Sequence, residues 1–405
     1  MAHNRIMLLA GELSGDIHGA RLIERFLVHD PDLEIFGVGG SAMEASGMEL
    51  IRNIVDLAVV GFWEALSSVI PLYRLLNDLK HIMITRRPNL VILIDYSGFN
   101  LKVAKLAKSL GIPVAYYFCP QIWAWRRYRA SRIASLVDYI VAVFPFEVPI
   151  YRKVGVDKIL YFGHPVLDEI DHSRKARAGI CDKTAVSGGK GLTITLMPGS
   201  RAMEVAKLLP VILEASSLIA ARYPDTRFIL RLAKSIERSG VESSISASGL
   251  NITICEGFGT EAIEMADLVI VASGSATLET AALGKPMVIV YKVNFLSWLM
   301  VKLFISLRNV GLANIISGKS LVPELIQWDA TPENIFREAA IFIDNPDKRA
   351  DISRKLRTAV DRISSHGVID RVACALLQCS RNGIDRSADP VSLPLTNDSE
   401  ERDMQ

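Results

Sequence analysis

The stretch "LTITLMPGS" (residues 192–200) restarts, halfway along the chain, a pattern that already runs through the first half. In both halves, short apolar runs rich in β-branched residues end in small or polar residues, and longer stretches of helical periodicity follow. This alternation is typical of βαβ units, whose strands form parallel sheets. Because the series starts twice, the sequence predicts an α/β protein of two Rossmann-like domains that face each other across a cleft.

The apolar runs of both series predict the strands of the two sheets. In the first half they are residues 5–11, 33–40, 90–96, 113–119, 139–145 and 159–165. In the second half they are residues 192–200, 227–233, 252–257, 268–274 and 286–292. Since ligands of such sheets bind outside the carboxyl ends of the strands, the residues that follow each run are the candidates for chemistry.

A polar stretch rich in Gly, Ser and Lys, residues 171–191, separates the two series and is typical of an interdomain linker. We therefore predict an N-terminal domain over 1–170 and a C-terminal domain over 192–345. Helices over 346–380 are expected to pack back on the N-terminal domain or on a partner subunit. The polar tail, 381–405, has the composition of a disordered segment.

The charge composition narrows the class of partner. The 405 residues include 46 Lys and Arg and 44 Asp and Glu, for a formal net charge of +2. This near balance argues against nucleic acid, whose binding proteins carry a strong basic excess or a basic face. The sequence contains no uninterrupted apolar run of the ~18 residues that a membrane-spanning helix needs. We therefore expect a protein that is soluble or bound only at a membrane surface.

Two strand ends of the first half are candidates for the reaction chemistry. In "AGELSGDIHGA" (10–20), glycines allow a tight turn into a helix whose N-terminus favours an anion, although Ser14 or Asp16 could instead simply cap that helix. In "LVILIDYSGFN" (90–100), Asp95 follows a buried run and is placed to act as a general base, although a structural turn aspartate is an equal alternative. Glu12 and His18 remain alternative proton acceptors.

Two strand ends of the second half have the residues of a phosphate site. "LMPGSRAMEV" (196–205) offers backbone N–H groups, a hydroxyl and a guanidinium, but Arg201 could equally form a surface ion pair with Glu204. "ASGSATLETAALGKPMV" (272–288) opens a helix with small residues, so that a diphosphate could approach the helix N–H groups, and Glu279 could accept hydrogen bonds from ribose hydroxyls. An ordinary capped helix is the alternative. The candidate nucleotide-binding residues are Gly199, Ser200, Arg201, Ser273, Gly274, Ser275, Ala276, Thr277 and Glu279.

Two further segments concentrate aromatic or apolar side chains. In "PQIWAWRRYR" (120–129), Trp123 and Trp125 alternate and would face the same way in an extended chain, and Arg126 could meet an acidic group of a ligand, although packing of one tryptophan is the alternative. The apolar stretch 59–76 could lie at a membrane interface or hold an acyl chain, or it could be a core helix. Its candidate membrane or acyl contacts are Phe62, Trp63, Leu66, Val69 and Leu72.

Taken in order, eight motifs resemble those of the lipid-A-disaccharide synthases, glycosyltransferases of lipopolysaccharide biosynthesis. They are "AGELSGDIHGA", "IDYSGFN", "PQIWAWRRYRASRI", "FPFEVPIYRKVGV", "GHPVLDE", "MPGSR", "ASGSATLETAALGKPMVIVYKV" and "GLANIISGKSLVPELIQWDATPENI". The resemblance runs from about residue 5 to about residue 380. Many members of this family have proline where this chain has Ser97, which bears on the loop beside Asp95.

The resemblance implies a GT-B fold and an inverting transfer that needs neither a bound metal nor another cofactor. In such a reaction, 2,3-diacylglucosamine passes from its UDP form to the 6-hydroxyl of 2,3-diacylglucosamine 1-phosphate, giving a β-1,6-linked disaccharide and UDP. The implied location is the cytoplasm, with peripheral attachment to lipids at the inner face of the cytoplasmic membrane. The family also contains homodimers that exchange their C-terminal regions.

The resemblance also implies roles for particular residues. Asp95 matches the favoured catalytic base, and Asn314 and Gln327 join the UDP-binding set together with Arg201 and the helix of Glu279. The acceptor contacts are predicted from position at the strand ends: Ser14, Gly15, Asp16, Trp123, Trp125 and Arg126. Two other functions are weighed against this one: a soluble UDP-sugar enzyme of the same fold, such as a UDP-N-acetylglucosamine 2-epimerase, and a non-catalytic membrane-surface module.

Overall fold

The computed structural model describes residues 4–55, 69–120, 128–176, 191–257, 259–292 and 309–382. These residues form two compact units. The first unit combines the chain up to residue 165 with the segment that begins at 365, and the second comprises 166–364. The chain therefore leaves the first unit once, forms the whole of the second, and returns.

The first unit contains a seven-stranded sheet in which all neighbouring strands are parallel. Its strands are β1 (Arg5–Ala10), β2 (Glu34–Gly39), β3 (Glu49–Asn53), β4 (Leu90–Ile94), β5 (Val114–Tyr117), β6 (Tyr139–Ala142) and β7 (Ile159–Tyr161). The strand order is β3-β2-β1-β4-β5-β6-β7. The helices of this part of the chain are α1 (Leu13–His29), α2 (Ser41–Ala45), α3 (Val69–Arg86), α4 (Ser97–Ser109), α5 (Tyr128–Ala134) and α6 (Glu147–Lys153).

The second unit repeats the plan with a six-stranded parallel sheet in the order β10-β9-β8-β11-β12-β13. Its strands are β8 (Thr193–Met197), β9 (Arg227–Leu232), β10 (Ile252–Glu256), β11 (Leu268–Ala272), β12 (Met287–Tyr291) and β13 (Glu324–Ile326). Its helices are α7 (Val166–Ala176), α8 (Ala202–Arg222), α9 (Arg238–Ser248), α10 (Glu261–Glu264), α11 (Ser275–Ala282), α12 (Leu312–Ser317), α13 (Pro332–Ile343) and α14 (Pro346–Asp361). Helix α15 (Val368–Asn382) belongs to the first unit.

The central strands explain why the sequence reads as uninterrupted apolar runs. Every residue of β4 and of β11 is buried, because in a parallel α/β sheet both faces are covered. The eleven predicted runs all contain observed strands. Two strands were missed: β3, with the sequence "ELIRN" and exposed positions at the sheet edge, and β13, which is only three residues long. Neither has an apolar run.

Three local expectations differ from the structure. Helix α1 has Glu12 at its N-cap, so neither Ser14 nor Asp16 caps it. In "SGFN" (97–100), the residue type of Asn100 predicts an N-cap, but helix α4 has Tyr96 at its N-cap and Asn100 lies inside the helix. The predicted linker 171–191 begins within α7, and residues 177–190 lie outside the described part of the chain.

The C-terminal helices divide between the units. Helix α14 packs on α11, α12 and α13 in the second unit, whereas α15 packs on α1 in the first. Polar contacts accompany the packing of α15: Asp370 and Cys374 lie 2.9 and 3.3 Å from the Nε2 atom of His29, and Arg381 donates to Asp30 at 2.8 Å. The segment 381–405 lies almost entirely outside the described residues.

Candidate active site

Each sheet has a point at which its strand order reverses direction. In the first unit the order runs outward from β1 to β3 on one side and from β4 to β7 on the other. In the second unit the corresponding pair is β8 and β11. Ligands of doubly wound sheets bind at this switch point, outside the carboxyl ends of the strands. The loops that follow β1 and β4, and those that follow β8 and β11, are the four segments that the sequence singled out.

Asp95 occupies an unusual turn directly after β4. Both Asp95 and Tyr96 have left-handed backbones, with φ of +48° and +44°. The side-chain amide of Asn100 donates to the carbonyls of Ile94 and Asp95, at 3.1 and 2.8 Å, and the hydroxyl of Tyr116 donates to the Asp95 carbonyl at 2.7 Å. Left-handed conformations in non-glycine residues cost about 1–3 kcal/mol each, so these hydrogen bonds hold a strained turn in place.

The same turn packs against the end of β1. A Cβ atom added to Gly11 would overlap the ring of Tyr96, so the glycine allows the two strand ends to approach. Burial raises the pKa of Tyr116 well above its ordinary value of 10, and the nearby Cys119 and Asp95 raise it further. The Tyr116 hydroxyl therefore stays protonated and remains a donor to the turn.

Aromatic rings link the carboxyl ends of three more strands to α1. The ring of His18 stacks on Phe118, with centroids 3.8 Å apart and planes 9° apart. Phe118, which follows β5 with φ of +52°, meets His164 edge-on, and His164 contacts Phe144. Phe118 and His164 were not among the predicted site residues; the motif "GHPVLDE" was the only sequence signal for His164.

The carboxylate of Asp16 is buried in the first unit and is held there by hydrogen bonds to the backbone. Asp16 is 2% exposed, and its oxygens accept hydrogen bonds from the backbone N–H groups of Gly40, Ala42 and Met43 at 2.8, 3.0 and 3.1 Å. These groups form the start of α2, where a carboxylate satisfies donors that lack partners within the helix. The neighbouring candidates Ser14 and Gly15 lie in the first turn of α1.

In the second unit, the loop after β8 turns at Gly199. Gly199 has φ of +121°, and a Cβ atom there would lie 2.8 Å from Oε2 of Glu204. Arg201 precedes α8, and its side chain is 68% exposed. Its guanidinium lies 3.5 Å from Glu204, so the predicted alternative of a surface ion pair is present. Such an exposed pair is weak, worth about 0–1 kcal/mol.

The loop after β11 leads into α11 through Gly274, whose φ of +155° and ψ of −162° are essentially restricted to glycine. A Cβ atom at this position would meet nothing within 4 Å, so the space in front of the helix is open. Ser275 and Ala276 begin the helix, where backbone N–H groups have no acceptor in the preceding turn. Thr277 turns its hydroxyl inward to the Gly274 carbonyl at 2.7 Å.

Glu279, one turn into α11, is held by an arginine that the sequence analysis missed. Arg231, near the end of β9, donates to both carboxylate oxygens of Glu279, at 2.7 and 3.2 Å. The Arg231 side chain is only 9% exposed. This two-pronged contact fixes the orientation of Glu279. Its only sequence signal was an arginine inside the apolar run "RFILRLA" (227–233).

Asn314 is fully buried and organises the chain before β13. Its amide donates to the Val322 carbonyl and to Glu324, and its oxygen accepts from the N–H groups of Leu321 and Val322. All hydrogen-bonding positions of the side chain are thus taken by protein groups. Gln327 follows β13 with a left-handed φ of +55° and is 9% exposed.

Several predicted contacts lie outside the described residues. These are Trp123, Trp125 and Arg126, together with Phe62, Trp63 and Leu66. Val69 begins α3, and Leu72 in the same helix is partly buried against the core of the first unit. No helix in the described part of the chain is long and apolar enough to cross a lipid bilayer.

Two parallel sheets, each with polar strand-end loops at its switch point, define the fold shared by GT-B glycosyltransferases and nucleotide-sugar epimerases. Solved structures agree with this assignment. A UDP-GlcNAc 2-epimerase from Neisseria meningitidis, bound to UDP-GlcNAc, matches with a TM-score of 0.65, 14% identity, and coverage of 92% of this chain and 100% of that one. A glycosyltransferase from Rickettsia africae matches with a TM-score of 0.57, 15% identity, and coverage of 96% and 100%.

The sequence comparisons distinguish between the members of this fold. The family described as lipid-A-disaccharide synthetase matches residues 6–377. The lipid-A-disaccharide synthase of Geobacter metallireducens is 40% identical over 381 residues, which cover 93% of this chain and 97% of that protein. The enzyme of the same name from Myxococcus xanthus is 35% identical over 374 residues, covering 92% and 97%. The chain belongs to the lipid-A-disaccharide synthase family.

Family membership decides among the three functions weighed from the sequence. The chain is a glycosyltransferase of lipid A biosynthesis, which excludes a non-catalytic membrane module. The similarity to epimerases, at 12–14% identity, concerns the fold alone. A shared fold does not establish a shared reaction.

Proposed function

We propose that this enzyme transfers 2,3-diacylglucosamine from its UDP form to the 6-hydroxyl of 2,3-diacylglucosamine 1-phosphate, with inversion at the anomeric carbon. The bond between the anomeric carbon and the UDP oxygen breaks, and a bond to the acceptor O6 forms. The O6 proton passes to a base, and UDP leaves with the electron pair. Family membership and the position of the strand-end loops at both switch points support this reaction.

We propose that Asp95, in the first unit, is the base that accepts the O6 proton. It lies at the carboxyl end of β4, beside the switch point, in a turn that two buried side chains hold in a strained conformation. Strained residues that the surrounding structure over-determines are concentrated at active sites. The alternatives are engaged differently: Glu12 is the N-cap residue of α1, and the ring of His18 stacks on Phe118.

The second unit is the part that we propose to bind the UDP-sugar donor. The start of α11 offers backbone N–H groups and the positive end of a helix dipole to the diphosphate, and the exposed Arg201 offers a guanidinium. Such preorganised donors stabilise the charge that develops on departing UDP. Glu279, oriented by Arg231, is the proposed acceptor of hydrogen bonds from the ribose hydroxyls.

The remaining parts of the proposal concern the acylated acceptor and the membrane. Ser14, Gly15 and the aromatic and basic segment 120–129 would hold the acceptor, with Arg126 near its phosphate. The apolar stretch 59–76 would contact acyl chains and the lipids of the inner membrane surface. Asp16 and Asn314 would support the substrate sites without touching a substrate. The Asp16 carboxylate bonds to the start of α2, and the Asn314 side chain bonds to the chain before β13. A homodimer remains part of the proposal.

The decisive experiment measures UDP release with and without the diacylglucosamine 1-phosphate acceptor. We expect release to depend on the acceptor, because the donor anomeric carbon needs the acceptor hydroxyl as nucleophile. Asp95→Asn should lower kcat about 10²–10⁴-fold, the usual contribution of a general base, while the Kd for UDP stays unchanged. The matched control is Asp32→Asn, an exposed carboxylate just before β2, at the amino-terminal end of the strands of the same sheet.

Two results would contradict different parts of the proposal, namely the reaction and the identity of the base. UDP release that is equally fast without acceptor would rule out the disaccharide reaction. A kcat for Asp95→Asn equal to that of Asp32→Asn would rule out Asp95 as the base and leave the reaction itself standing.

A further inference from the structure

We infer that Asn100 and Tyr116 are positioning residues, which set the direction of the Asp95 side chain through its backbone. The inference rests on the proposed role of Asp95 as base and extends it. It assigns a specific task in the reaction to two buried side chains that do not themselves touch the substrate.

The first step is the backbone conformation. The direction of a Cα–Cβ bond relative to the strand depends on the φ and ψ of that residue. Asp95 and Tyr96 link β4 to α4, and both have left-handed backbone conformations. Relaxation of either residue to the common right-handed region would rotate the Asp95 carboxylate away from its present direction.

The second step is the set of contacts that prevents this relaxation. The Asn100 side-chain amide donates to two successive backbone carbonyls, those of Ile94 and Asp95. The Tyr116 hydroxyl reaches the Asp95 carbonyl from the neighbouring strand β5. Two donors, from different elements, therefore converge on one carbonyl oxygen.

The third step is the rigidity of the donors themselves. Asn100 is 1% exposed and Tyr116 is fully buried, so packing fixes both side chains. Asn100 lies in the first turn of α4, and its own backbone N–H bonds to the Tyr96 carbonyl at 3.2 Å. Helix, strand and turn thus form one hydrogen-bonded unit around Asp95. A displacement of about 1 Å at a reacting group can cost about 10²-fold in rate, which is the scale on which such support matters.

The test is a double-mutant cycle between each positioning residue and Asp95. Tyr116→Phe removes one hydroxyl and keeps the ring, and Asn100→Ser removes the amide. Used alone, Tyr116→Phe should lower kcat about 10-fold and Asn100→Ser about 10²-fold, with the KM of both substrates nearly unchanged. In the Asp95→Asn background, where no carboxylate remains to be positioned, each should change kcat less than about 2-fold.

Tyr139→Phe is the matched control for loss of a buried tyrosine hydroxyl. Tyr139 is the first residue of β6 in the same sheet, at the amino-terminal end of the strands, whereas Asp95 follows the carboxyl end of β4; Tyr139 is 5% exposed. It should retain wild-type kcat in both backgrounds. Should Asn100→Ser fail to fold, Tyr116→Phe completes the cycle on its own.

The outcomes separate this inference from the proposed function. If Asp95→Asn lowers kcat but Tyr116→Phe lowers it by the same factor in both backgrounds, the positioning role is wrong and the base assignment stands. If Tyr116→Phe leaves kcat at the wild-type level, the positioning role is also wrong. If Asp95→Asn itself retains full kcat, the base assignment fails and the positioning role fails with it.

Discussion

At the scale of single residues, backbone strain is concentrated at the carboxyl ends of strands. Among the described non-glycine residues, five have a positive φ: Arg87, Asp95, Tyr96, Phe118 and Gln327. All except Arg87 follow β4, β5 or β13 directly or within two residues. Each such conformation costs about 1–3 kcal/mol and persists only where the surrounding structure imposes it. The strain therefore lies at the carboxyl ends of the strands, where ligands bind in doubly wound folds.

Gly274 offers a test of this view in the second unit. We expect Gly274→Ala to weaken UDP binding about 10-fold or more, because alanine cannot adopt the backbone conformation that presents the start of α11. The added methyl group itself meets no atom within 4 Å, so steric overlap with the protein is not the cause. The measurement is the Kd for UDP by titration calorimetry.

The matched control is Gly240→Ala. Gly240 lies in α9, its Cβ position is equally open, and its φ is not positive. Alanine in a helix is favoured over glycine by about 0.5–1 kcal/mol, so this variant should be slightly stabilised and should bind UDP normally. Equal UDP affinity in both variants would show that the Gly274 backbone does not shape the donor site.

The sequence could identify strand-end residues but not their long-range partners. Asp95 and the glycine-rich loops were predictable because a polar residue after an apolar run marks the carboxyl end of a strand. Asp16 was assigned to the acceptor because its carboxylate lies in such a loop, yet its partners are backbone N–H groups at residues 40–43. These contacts depend on the packing of α1 beside α2, which periodicity does not encode. The same holds for Arg231 and Glu279, which are 48 residues apart.

At the scale of secondary-structure elements, Arg86 joins the end of α3 to the strands at one edge of the first sheet. Its guanidinium bonds to Glu34 on β2 and to Glu49 on β3, the latter at 2.7 and 2.8 Å. It also lies over the ring of Phe36, 3.9 Å from the ring centroid. The hydrogen bonds with Arg86 lower the pKa of both glutamates below the ordinary value of 4.5.

A lowered carboxylate pKa gives the stabilisation by Arg86 a definite pH dependence. The contribution is present above the unfolded pKa of about 4.5 and is lost as the pH falls through the lower folded values. Arg86→Met, which keeps an apolar stem, should reduce stability by about 1 kcal/mol at pH 7, a modest figure because the pairs are partly solvent-screened. The difference between variant and wild type should shrink towards zero as the pH falls through the lowered pKa values of Glu34 and Glu49. Calorimetric unfolding midpoints at several pH values measure it.

Arg25→Met, at an exposed position of α1, is the control for loss of a positive charge. It should show a small difference from wild type that does not follow the titration of Glu34 and Glu49. An Arg86→Met deficit that persists once Glu34 and Glu49 are protonated in the folded state would show that packing on Phe36, rather than the ion pairs, carries the effect.

The elements that the sequence predicted and those it missed differ in burial. β4 and β11 were evident because both faces of a central parallel strand are buried and every side chain is apolar. β3, at the edge, has the polar pattern of a loop, and only its pairing with β2 makes it a strand. The helices predicted over residues 346–380 were treated as one segment, whereas α14 and α15 pack in different units.

At the scale of the whole molecule, the first unit is discontinuous in sequence and the second is continuous. Helix α15 returns to the first unit after 199 intervening residues, 166–364, and packs on α1. Its buried side chains include Val368, Ile369, Val372, Leu376 and Leu377. Burial of each is worth roughly 1.5–3 kcal/mol, so together they rival the ~5–15 kcal/mol net stability of a typical domain.

The contribution of α15 predicts how the chain divides into folding units. A fragment of residues 1–165 should lack a cooperative thermal transition, because the face of α1 that α15 covers would be exposed to water. The same fragment joined through a flexible linker to residues 365–382 should melt cooperatively, and residues 166–364 should do so alone. Val372→Asp with Leu376→Asp in the linked fragment is the matched control, since it keeps the added length and removes the apolar contact. Circular dichroism follows the thermal transition of each fragment.

A fragment 1–165 that melts as cooperatively as the linked form would show that α15 merely covers a unit that is already complete. Restoration of the transition only by the unaltered helix would show that the first unit cannot finish folding until the last helix has been synthesised, whereas the second unit is complete in sequence at residue 364, before α15 begins.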